Sequence, residues 1–172
     1  MVFDIIGILV NEHSEAQIPL KQIYINGLKK AAEYLGNADN IRTEMFFYEW
    51  RTRLMENEPL ISNDYSLIDP MWCDYAEKRF YAGHFMLQLK PFLPEYEDKL
   101  NELWNIFGIK INSLMYEYIA KVDLDPGSDI KSINTKKFNN EAVRKDMCDI
   151  VSKCEAEERK AAGIISKIVK NI

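Results

Sequence analysis

The sequence predicts an all-α fold, a single-domain helical bundle of about five helices in which the fourth and fifth are long. Apolar residues mostly recur every three or four positions, which is the repeat of an amphipathic helix, and strict alternation is scarce. Of the 172 residues, 47% are hydrophobic and 28% are charged, as in ordinary globular proteins. No repeat, low-complexity stretch or linker divides the chain, so we expect one helical domain over residues 1–172.

The first two helices are predicted before residue 56. The first should run from about Pro19 to Leu35, and its apolar stripe comprises Leu20, Ile23, Gly27, Ala31 and Leu35. The second should run from about Asp39 to Met55. It has two apolar faces and should therefore lie at the centre of the bundle. One face comprises Ile41, Met45, Tyr48 and Met55, and the other comprises Phe47, Trp50 and Leu54.

The third helix is predicted from about Pro70 to Leu89, after a loop over residues 56–69. Asp69 is a favourable N-cap residue, and Pro70 suits the first helical position. The pair Lys90-Pro91 should end this helix, because proline cannot donate the hydrogen bond that would continue it.

The fourth helix is predicted from Pro94 to about Val122. Its apolar seam follows the three-and-four spacing of a coiled coil and comprises Tyr96, Leu100, Leu103, Phe107, Ile111, Leu114 and Tyr118. Gly108, within this helix, permits either a bend or the close approach of a neighbouring helix.

The fifth helix should begin near Asn140 and continue towards the end of the chain. Its seam comprises Val143, Met147, Ile150, Cys154, Ala161, Ile164 and Ile168. The charged stretch over residues 155–160 interrupts this seam, and we expect it to be solvated. Long helices with intact seams often pack against a second subunit, so a homodimer is a hypothesis.

The net charge and the cysteines limit the classes of function. Acidic residues outnumber basic residues by 27 to 22, and this net charge of -5 repels a phosphate backbone. We therefore expect no general nucleic-acid binding, and expect the partner to be another protein or a second copy of the chain. Cys73, Cys148 and Cys154 are odd in number and lack CxxC spacing, which predicts reduced thiols.

The apolar run at residues 1–10 is too short to span a membrane, which takes about 20 residues. It also lacks the basic segment and the cleavage site of a secretory signal. We expect a short core helix or strand there, no transmembrane segment, and a cytoplasmic protein.

No cofactor-binding or metal-ligating residues are predicted. His13 and His84 are the only histidines, and no Glu-x-x-His pair is present. The run Asp123–Asp129 resembles the first half of an EF-hand loop. However, Ser128 stands where the sharp turn needs glycine, and Asn134 stands where a bidentate glutamate is needed. The alternative is an acidic turn that ends a helix.

The segment Arg79-Phe-Tyr-Ala-Gly-His84 resembles the Arg-x4-6-His motif of HEPN-domain ribonucleases over six residues. The resemblance implies an all-α, commonly dimeric protein in which Arg79 and His84 carry out metal-independent RNA cleavage. A histidine can move a proton, and an arginine can stabilise phosphoryl charge. The alternative is structural, with Arg79 in a salt bridge and His84 partly buried and hydrogen-bonded.

Aromatic residues concentrate at residues 46–50 and 72–85. Most share helix faces with leucine, isoleucine or methionine, which favours core packing. With nearby basic residues they would instead form a stacking platform for a partner. Those basic residues are Arg42, Arg51, Arg53, Lys78 and Arg79.

Two functional hypotheses follow. The first is a helical protein-interaction or regulatory, accessory protein without its own catalytic centre, because the chain lacks a convincing set of catalytic residues. The alternative is a HEPN-like ribonuclease that uses Arg79 and His84, which would have to be exposed in one cleft.

Overall fold

The computed structural model describes residues 19–35, 41–56, 69–123 and 134–172. Within these ranges the chain is a bundle of helices without strands, which confirms the all-α fold class. The α-helices are α1 (Leu20–Leu35), α2 (Ile41–Met55), α3 (Asp69–Leu89), α4 (Glu97–Trp104), α5 (Asn112–Ala120), α6 (Thr135–Phe138) and α7 (Glu141–Val169). A 3-10 turn at Pro94–Tyr96 precedes α4, and a π-helix at Asn105–Ile111 joins α4 to α5.

Two long rods organise the bundle. The first is the continuous helix formed by α4, the π-helix and α5. The second is α7, whose 29 residues give a length of about 44 Å. Asn140 caps α7, since its side-chain oxygen accepts a hydrogen bond from the Ala142 backbone N–H at 2.9 Å. Helices α1 and α2 both pack on α7, and α3 packs on α4 and the π-helix.

The core lies between these rods and is rich in aromatic side chains. Phe47 and Trp50 of α2 are buried against Tyr75 of α3 and Tyr118 of α5. The Trp50 indole N–H donates a hydrogen bond to the Tyr118 hydroxyl oxygen at 2.9 Å. Burying a large apolar side chain stabilises a fold by roughly 1.5–3 kcal/mol, so this cluster contributes much of the packing between α2, α3 and α5.

The π-helix changes which residues of the first rod are buried. Leu100, Leu103 and Phe107 of the predicted seam are buried, as are Ile111 and Tyr118. A π-helix has more residues per turn than an α-helix, so the buried face shifts along the chain after it. As a result Met115 is buried, whereas the neighbouring seam residue, Leu114, is only partly buried.

The charged stretch at residues 155–160 is not simply solvated, so that prediction is wrong. Its glutamates are directed at three other elements of the bundle. Glu155 pairs with Arg51 of α2 at 2.6 Å, and Glu157 pairs with Lys110 of the π-helix at 3.3 Å. Glu158 is buried and pairs with Arg79 of α3. The interruption in the apolar seam is therefore a place where α7 makes ionic contacts instead of apolar ones.

The prediction that α2 is central is also wrong. Phe47, Trp50 and Leu54 are buried, but Met45 is 49% exposed and Tyr48 is 65% exposed. Similarly, Leu20 belongs to the predicted stripe of α1 and is 60% exposed, because it stands at the first position of the helix. The side chain of Ile41 and residues 1–18 lie outside the described parts of the chain. None of the described helices is long and apolar enough to cross a membrane.

Candidate functional site

Arg79 lies on the side of α3 that faces α7. Its Nε donates a hydrogen bond to Oε1 of Glu158, and its guanidinium carbon lies 4.9 Å from the centre of the Tyr75 ring. The Tyr75 hydroxyl donates to the same Glu158 oxygen at 2.9 Å. The side chain of Arg79 is 14% exposed and that of Glu158 is 1% exposed. Arg79 is thus held in a largely buried salt bridge.

The proton affinities of this cluster follow from burial and from the Glu158 charge. Burial raises the pKa of Tyr75 well above its ordinary value, and the Glu158 carboxylate raises it further. For Arg79, burial acts to lower the pKa, but the attraction of Glu158 and Tyr75 outweighs this, and the pKa is raised. Arg79 is therefore a permanent cation paired with Glu158. In the described part of the chain, Glu158 Oε2 has no hydrogen-bond partner.

His84 has different surroundings. It is exposed, and its ring centre lies 4.6 Å from that of Phe80 and 4.9 Å from that of Trp104. Five positions along an α-helix correspond to about 500°, so Arg79 and His84 project about 140° apart around α3. The guanidinium of Arg79 contacts groups inside the bundle, whereas the imidazole of His84 contacts aromatic rings at the surface.

Four side chains form a surface cluster where α3 crosses the junction of α4 and the π-helix. They are Phe80, Tyr81, His84 and Trp104, which we call the aromatic patch. Phe80 is 40% exposed and Tyr81 is 44% exposed. The centre of the Phe80 ring lies 6.0 Å from that of Tyr81 and 6.2 Å from that of Trp104. Aromatic pairs at these separations stabilise one another, so the patch is a preformed surface.

Two glycines allow the helices beneath the patch to approach closely. A Cβ atom on Gly83 would lie 2.9 Å from the backbone nitrogen of Gly108 and 2.7 Å from Cε3 of Trp104. A Cβ atom on Gly108 would lie 2.2 Å from Cζ3 of Trp104. The Trp104 ring thus occupies the space that the glycines leave open. The close approach permitted by Gly108 in the sequence is confirmed, and its partner is Gly83.

The π-helix begins directly after Trp104 and spans seven residues. The widened turn leaves backbone carbonyls without their usual α-helical partners. The side-chain amide of Asn112 satisfies one of them by donating a hydrogen bond to the Phe107 carbonyl at 2.9 Å. π-Helical segments cost stability and frequently mark functional sites, and this one adjoins the aromatic patch.

The acidic run that resembles an EF-hand loop is described only at Asp123, because residues 124–133 lie outside the described ranges. Asp123 follows α5 in the left-handed region, with a φ of 61°. Its carboxylate accepts hydrogen bonds from Asn134 Nδ2 at 2.8 Å and from Lys137 Nζ at 2.5 Å. The bonds from Lys137 and Asn134 lower the pKa of Asp123. Among the described residues, no group of three His, Cys, Asp or Glu side chains could hold a metal ion.

The described cysteines have little nucleophilic character. Burial raises the pKa of the Cys148 thiol, and Cys148 donates a hydrogen bond to the Arg51 carbonyl at 3.7 Å. Burial, together with Glu158 and Glu157, raises the pKa of Cys154 to about 12. Both cysteines are free thiols. The side chain of Cys73 lies outside the described residues.

Three residues of the site were not identified from the sequence: Glu158, Trp104 and Gly83. Glu158 lies in a charged run, and its burial depends on Arg79, which is 79 positions away. A detectable signal existed for the other two. A glycine interrupts the apolar spacing of each crossing helix, Gly83 in one and Gly108 in the other. Trp104 lies four positions before Gly108. Paired helix glycines beside a large aromatic residue indicate a close helix crossing.

No protein-family model matches the chain, and neither a curated protein nor a solved structure matches it.

Proposed function

We propose that this chain is a helical protein-interaction or accessory protein without its own catalytic centre, and that the aromatic patch is its binding surface. The observation that carries the proposal is the grouping of Phe80, Tyr81, His84 and Trp104 on the outside of a close helix crossing. Aromatic side chains are enriched at protein interfaces, where they bury large areas while losing little side-chain entropy.

The support beneath the patch favours a binding role. Gly83 and Gly108 bring two helices together under Trp104, and the seven-residue π-helix sets the direction of the chain beyond it. A surface held in this way loses little conformational freedom when a partner binds, so more of the contact energy appears as affinity. Phe80 is 40% exposed and Tyr81 is 44% exposed, so both rings present apolar area to a partner.

The basic groups nearest to this surface already have partners. Arg79 pairs with Glu158, and Lys78 pairs with Asp74 at 2.7 Å. A basic platform for single-stranded nucleic acid needs cations free to follow the phosphates. The patch offers stacking surface without such cations, and this supports a protein partner.

The test compares Phe80→Asp with Tyr116→Asp. Tyr116 is 58% exposed on α5. Among the described aromatic residues it makes no ring contact with the patch, so it controls for placing a charge at an exposed ring. The tagged protein would be recovered from cells that express it and separated by size. We expect wild type and Tyr116→Asp to elute within a complex and Phe80→Asp to elute as a single chain. Identical elution of all three proteins would reject the proposal.

The HEPN-like ribonuclease remains the alternative, with Arg79 and His84 as its catalytic residues. The exposure of His84 is compatible with proton transfer, whereas Arg79 would have to leave Glu158 to meet a phosphate. The alternative predicts cleavage of a mixed RNA pool by the wild type and loss of that cleavage in His84→Ala. The interaction-protein proposal predicts that neither the wild type nor His84→Ala cleaves the RNA.

We also propose that the protein works in the cytoplasm. Cys148 and Cys154 are free thiols in this fold, which suits a reducing compartment. Non-reducing mass analysis of protein isolated from its own cells tests this, since reduced thiols are expected and disulfide-linked species are not.

A further inference from the structure

We infer that the outer face of the second half of α7 is a docking surface for an acidic α-helix of a partner protein. This surface shares no residue with the aromatic patch and is a second binding site, beyond the proposed function. It is carried by the sorting of charges on α7, by the spacing of the exposed residues and by a glycine that the bundle itself does not need.

The second half of α7 sorts its charges between the bundle and the solvent. From residue 152 to residue 170, every exposed charged side chain is basic. These side chains are Lys153, Arg159, Lys160, Lys167 and Lys170. The glutamates at positions 155, 157 and 158 instead pair with basic residues of α2, the π-helix and α3. The outer face is therefore locally basic, although the chain has a net charge of -5.

Six exposed residues form one row along this face, which we call the lysine stripe. They are Lys153, Ala156, Lys160, Gly163, Lys167 and Lys170. Alternating steps of three and four residues keep them on one side of the helix, over a length of about 25 Å. Lysine recurs at every seventh position, and a small residue lies between successive lysines. A second helix that lies along α7 can present carboxylates at the same spacing.

Gly163 has no role in packing within the described bundle. A Cβ atom on this residue would meet nothing within 4 Å. A glycine inside a helix costs roughly 0.5–1 kcal/mol relative to alanine, so this position lowers stability without a gain inside the fold. Together with Ala156, Gly163 leaves a groove between the lysines, and side chains of a partner helix can pack into such a groove.

The helix dipole accounts for only part of the stripe. Lysine near the last turn of a helix complements the dipole, and Lys167 and Lys170 lie there. Lys153 and Lys160 lie well before that turn, where the dipole has little effect. A different favourable interaction is needed for the positive charge at these two positions, and carboxylates of a partner supply it.

Most of the charge on the stripe is available to a partner. Among the described residues only Lys160 of the stripe forms an ion pair, with Glu102 of α4 at 2.7 Å. The hydrogen bond from Lys160 lowers the pKa of Glu102, and the charges of Lys110 and Lys167 act in the same direction. Positive charge thus exceeds negative charge around Glu102, and a row of carboxylates on a partner complements it.

The composition of the stripe favours a protein helix over a membrane or a nucleic acid. A helix that binds in a bilayer interface needs large apolar side chains, whereas the stripe has only Ala156 and Gly163 between its lysines. Single-stranded nucleic acid is held by stacking on aromatic rings, and the stripe contains none. The net charge of -5 also repels a long phosphate backbone.

The experiment measures binding of a fluorescent peptide to the purified full-length protein by anisotropy. The peptide is an acidic helix of about three heptads, with glutamate at every seventh position and leucine between, and a shuffled peptide has the same composition. The variants are Lys153→Glu combined with Lys167→Glu, and Gly163→Gln alone. Lys21→Glu combined with Lys136→Glu is the matched charge control, since both lysines are exposed on other helices. Circular dichroism and thermal unfolding check the fold of each variant.

We expect the helical peptide to bind the wild type and the charge control equally, and to bind more tightly than the shuffled peptide. Reversing the two stripe charges should weaken binding at least about tenfold, because like charges then face each other. Gly163→Gln should weaken binding comparably without lowering thermal stability, because its side chain fills the groove. Glu102→Gln should strengthen binding, since it releases Lys160, and damage to the fold cannot produce a gain.

Absence of binding by the helical peptide would overturn the inference, as would equal binding of the helical and shuffled peptides. An equal loss in the stripe variant and the charge control would also overturn it, and so would full binding by Gly163→Gln or no gain in Glu102→Gln. A labelled thymidine oligonucleotide and phosphatidylserine vesicles are measured with the same protein. Tighter binding of either one than of the helical peptide would assign the stripe to a nucleic acid or a membrane instead and reject a protein helix.

Discussion

The Arg79 guanidinium on α3 and the Glu158 carboxylate on α7 form a salt bridge inside the bundle, and the Tyr75 hydroxyl donates to the same carboxylate at 2.9 Å. Glu158 thus links α7 to two side chains of α3. It gives Arg79 a structural role, whereas the exposed side of α3 carries Phe80, Tyr81 and His84 of the aromatic patch. One helix thus contributes to stability on one side and to the proposed binding surface on the other.

Removing one member of this pair should destabilise the fold strongly. Glu158→Gln leaves the Arg79 charge buried without its counter-ion, and we expect a loss of about 3–5 kcal/mol in the free energy of unfolding. Arg79→Met should cost a similar amount, because it isolates the Glu158 carboxylate. Urea denaturation followed by circular dichroism measures both effects.

The double variant Arg79→Met with Glu158→Leu is the control for this pair. It removes both charges and keeps apolar volume, so it should recover most of the loss. If the two single losses simply add in the double variant, the two groups do not interact and this account of the cluster is incorrect.

The hydrogen bond from Trp50 to Tyr118 should also be measurable. Tyr118→Phe leaves the buried indole N–H without its acceptor, and we expect a loss of about 1–3 kcal/mol. Trp50→Phe combined with Tyr118→Phe gives the coupling energy by a double-mutant cycle. A coupling energy near zero would show that this bond contributes nothing to stability.

Tyr118 also predicts how stability changes at alkaline pH. Burial raises its pKa above the ordinary value, although the hydrogen bond from Trp50 acts to lower it. In the unfolded chain a tyrosine titrates near pH 10, so above about pH 10 the unfolded state loses a proton that the folded state keeps. The free energy of unfolding should therefore fall as pH rises through this range.

Urea titrations from about pH 8 to about pH 11, on either side of the ordinary tyrosine pKa, measure this effect. Tyr118→Phe should reduce the slope, because one of the titrating groups is gone. Tyr75 should account for part of the remaining slope, since its pKa is raised as well. Parallel curves for the wild type and Tyr118→Phe would contradict the assignment.

Replacing glycine with alanine should have opposite effects on stability at Gly83 and at Gly163. Gly83→Ala places a methyl group 2.9 Å from the Gly108 backbone nitrogen, so the crossing helices must separate, and we expect a loss of about 1–3 kcal/mol. Gly163→Ala meets nothing within 4 Å on α7 and should stabilise by roughly 0.5–1 kcal/mol. Thermal unfolding of both variants tests this, and equal shifts would refute the close crossing.

The apolar spacing of the sequence predicts much of this fold, because each helix must bury a stripe that recurs at the helical repeat. The buried face of α7 follows that spacing through Met147, Ile150 and Cys154. The exceptions have local physical reasons. The π-helix moves the buried face of the first rod, and no local sequence pattern announces its extra residue. The exposed face of α2 reads as apolar in the sequence, but a neighbouring helix does not cover Met45 or Tyr48 in the described structure.

The site was harder to predict than the fold. The spacing of Arg79 and His84 in the sequence marked them as candidate site residues. A salt bridge was the alternative role predicted for Arg79. It did not identify Glu158 as the partner, since burial of a glutamate depends on a distant cation. The exposure of Phe80 and Tyr81 depends on which side of α3 faces α4 and α7. Aromatic and other apolar residues occur around most of the circumference of this helix, so the sequence does not specify that side.

The central claim is that the aromatic patch is the surface through which this chain binds, and a photoreactive residue at position 80 tests it most directly. p-Benzoylphenylalanine replaces Phe80 in one protein and Tyr116 in a second, and both proteins are irradiated in the cells that express them. The account predicts one adduct of defined mass from position 80 and none from position 116. No adduct from position 80, or the same set from both positions, would contradict it.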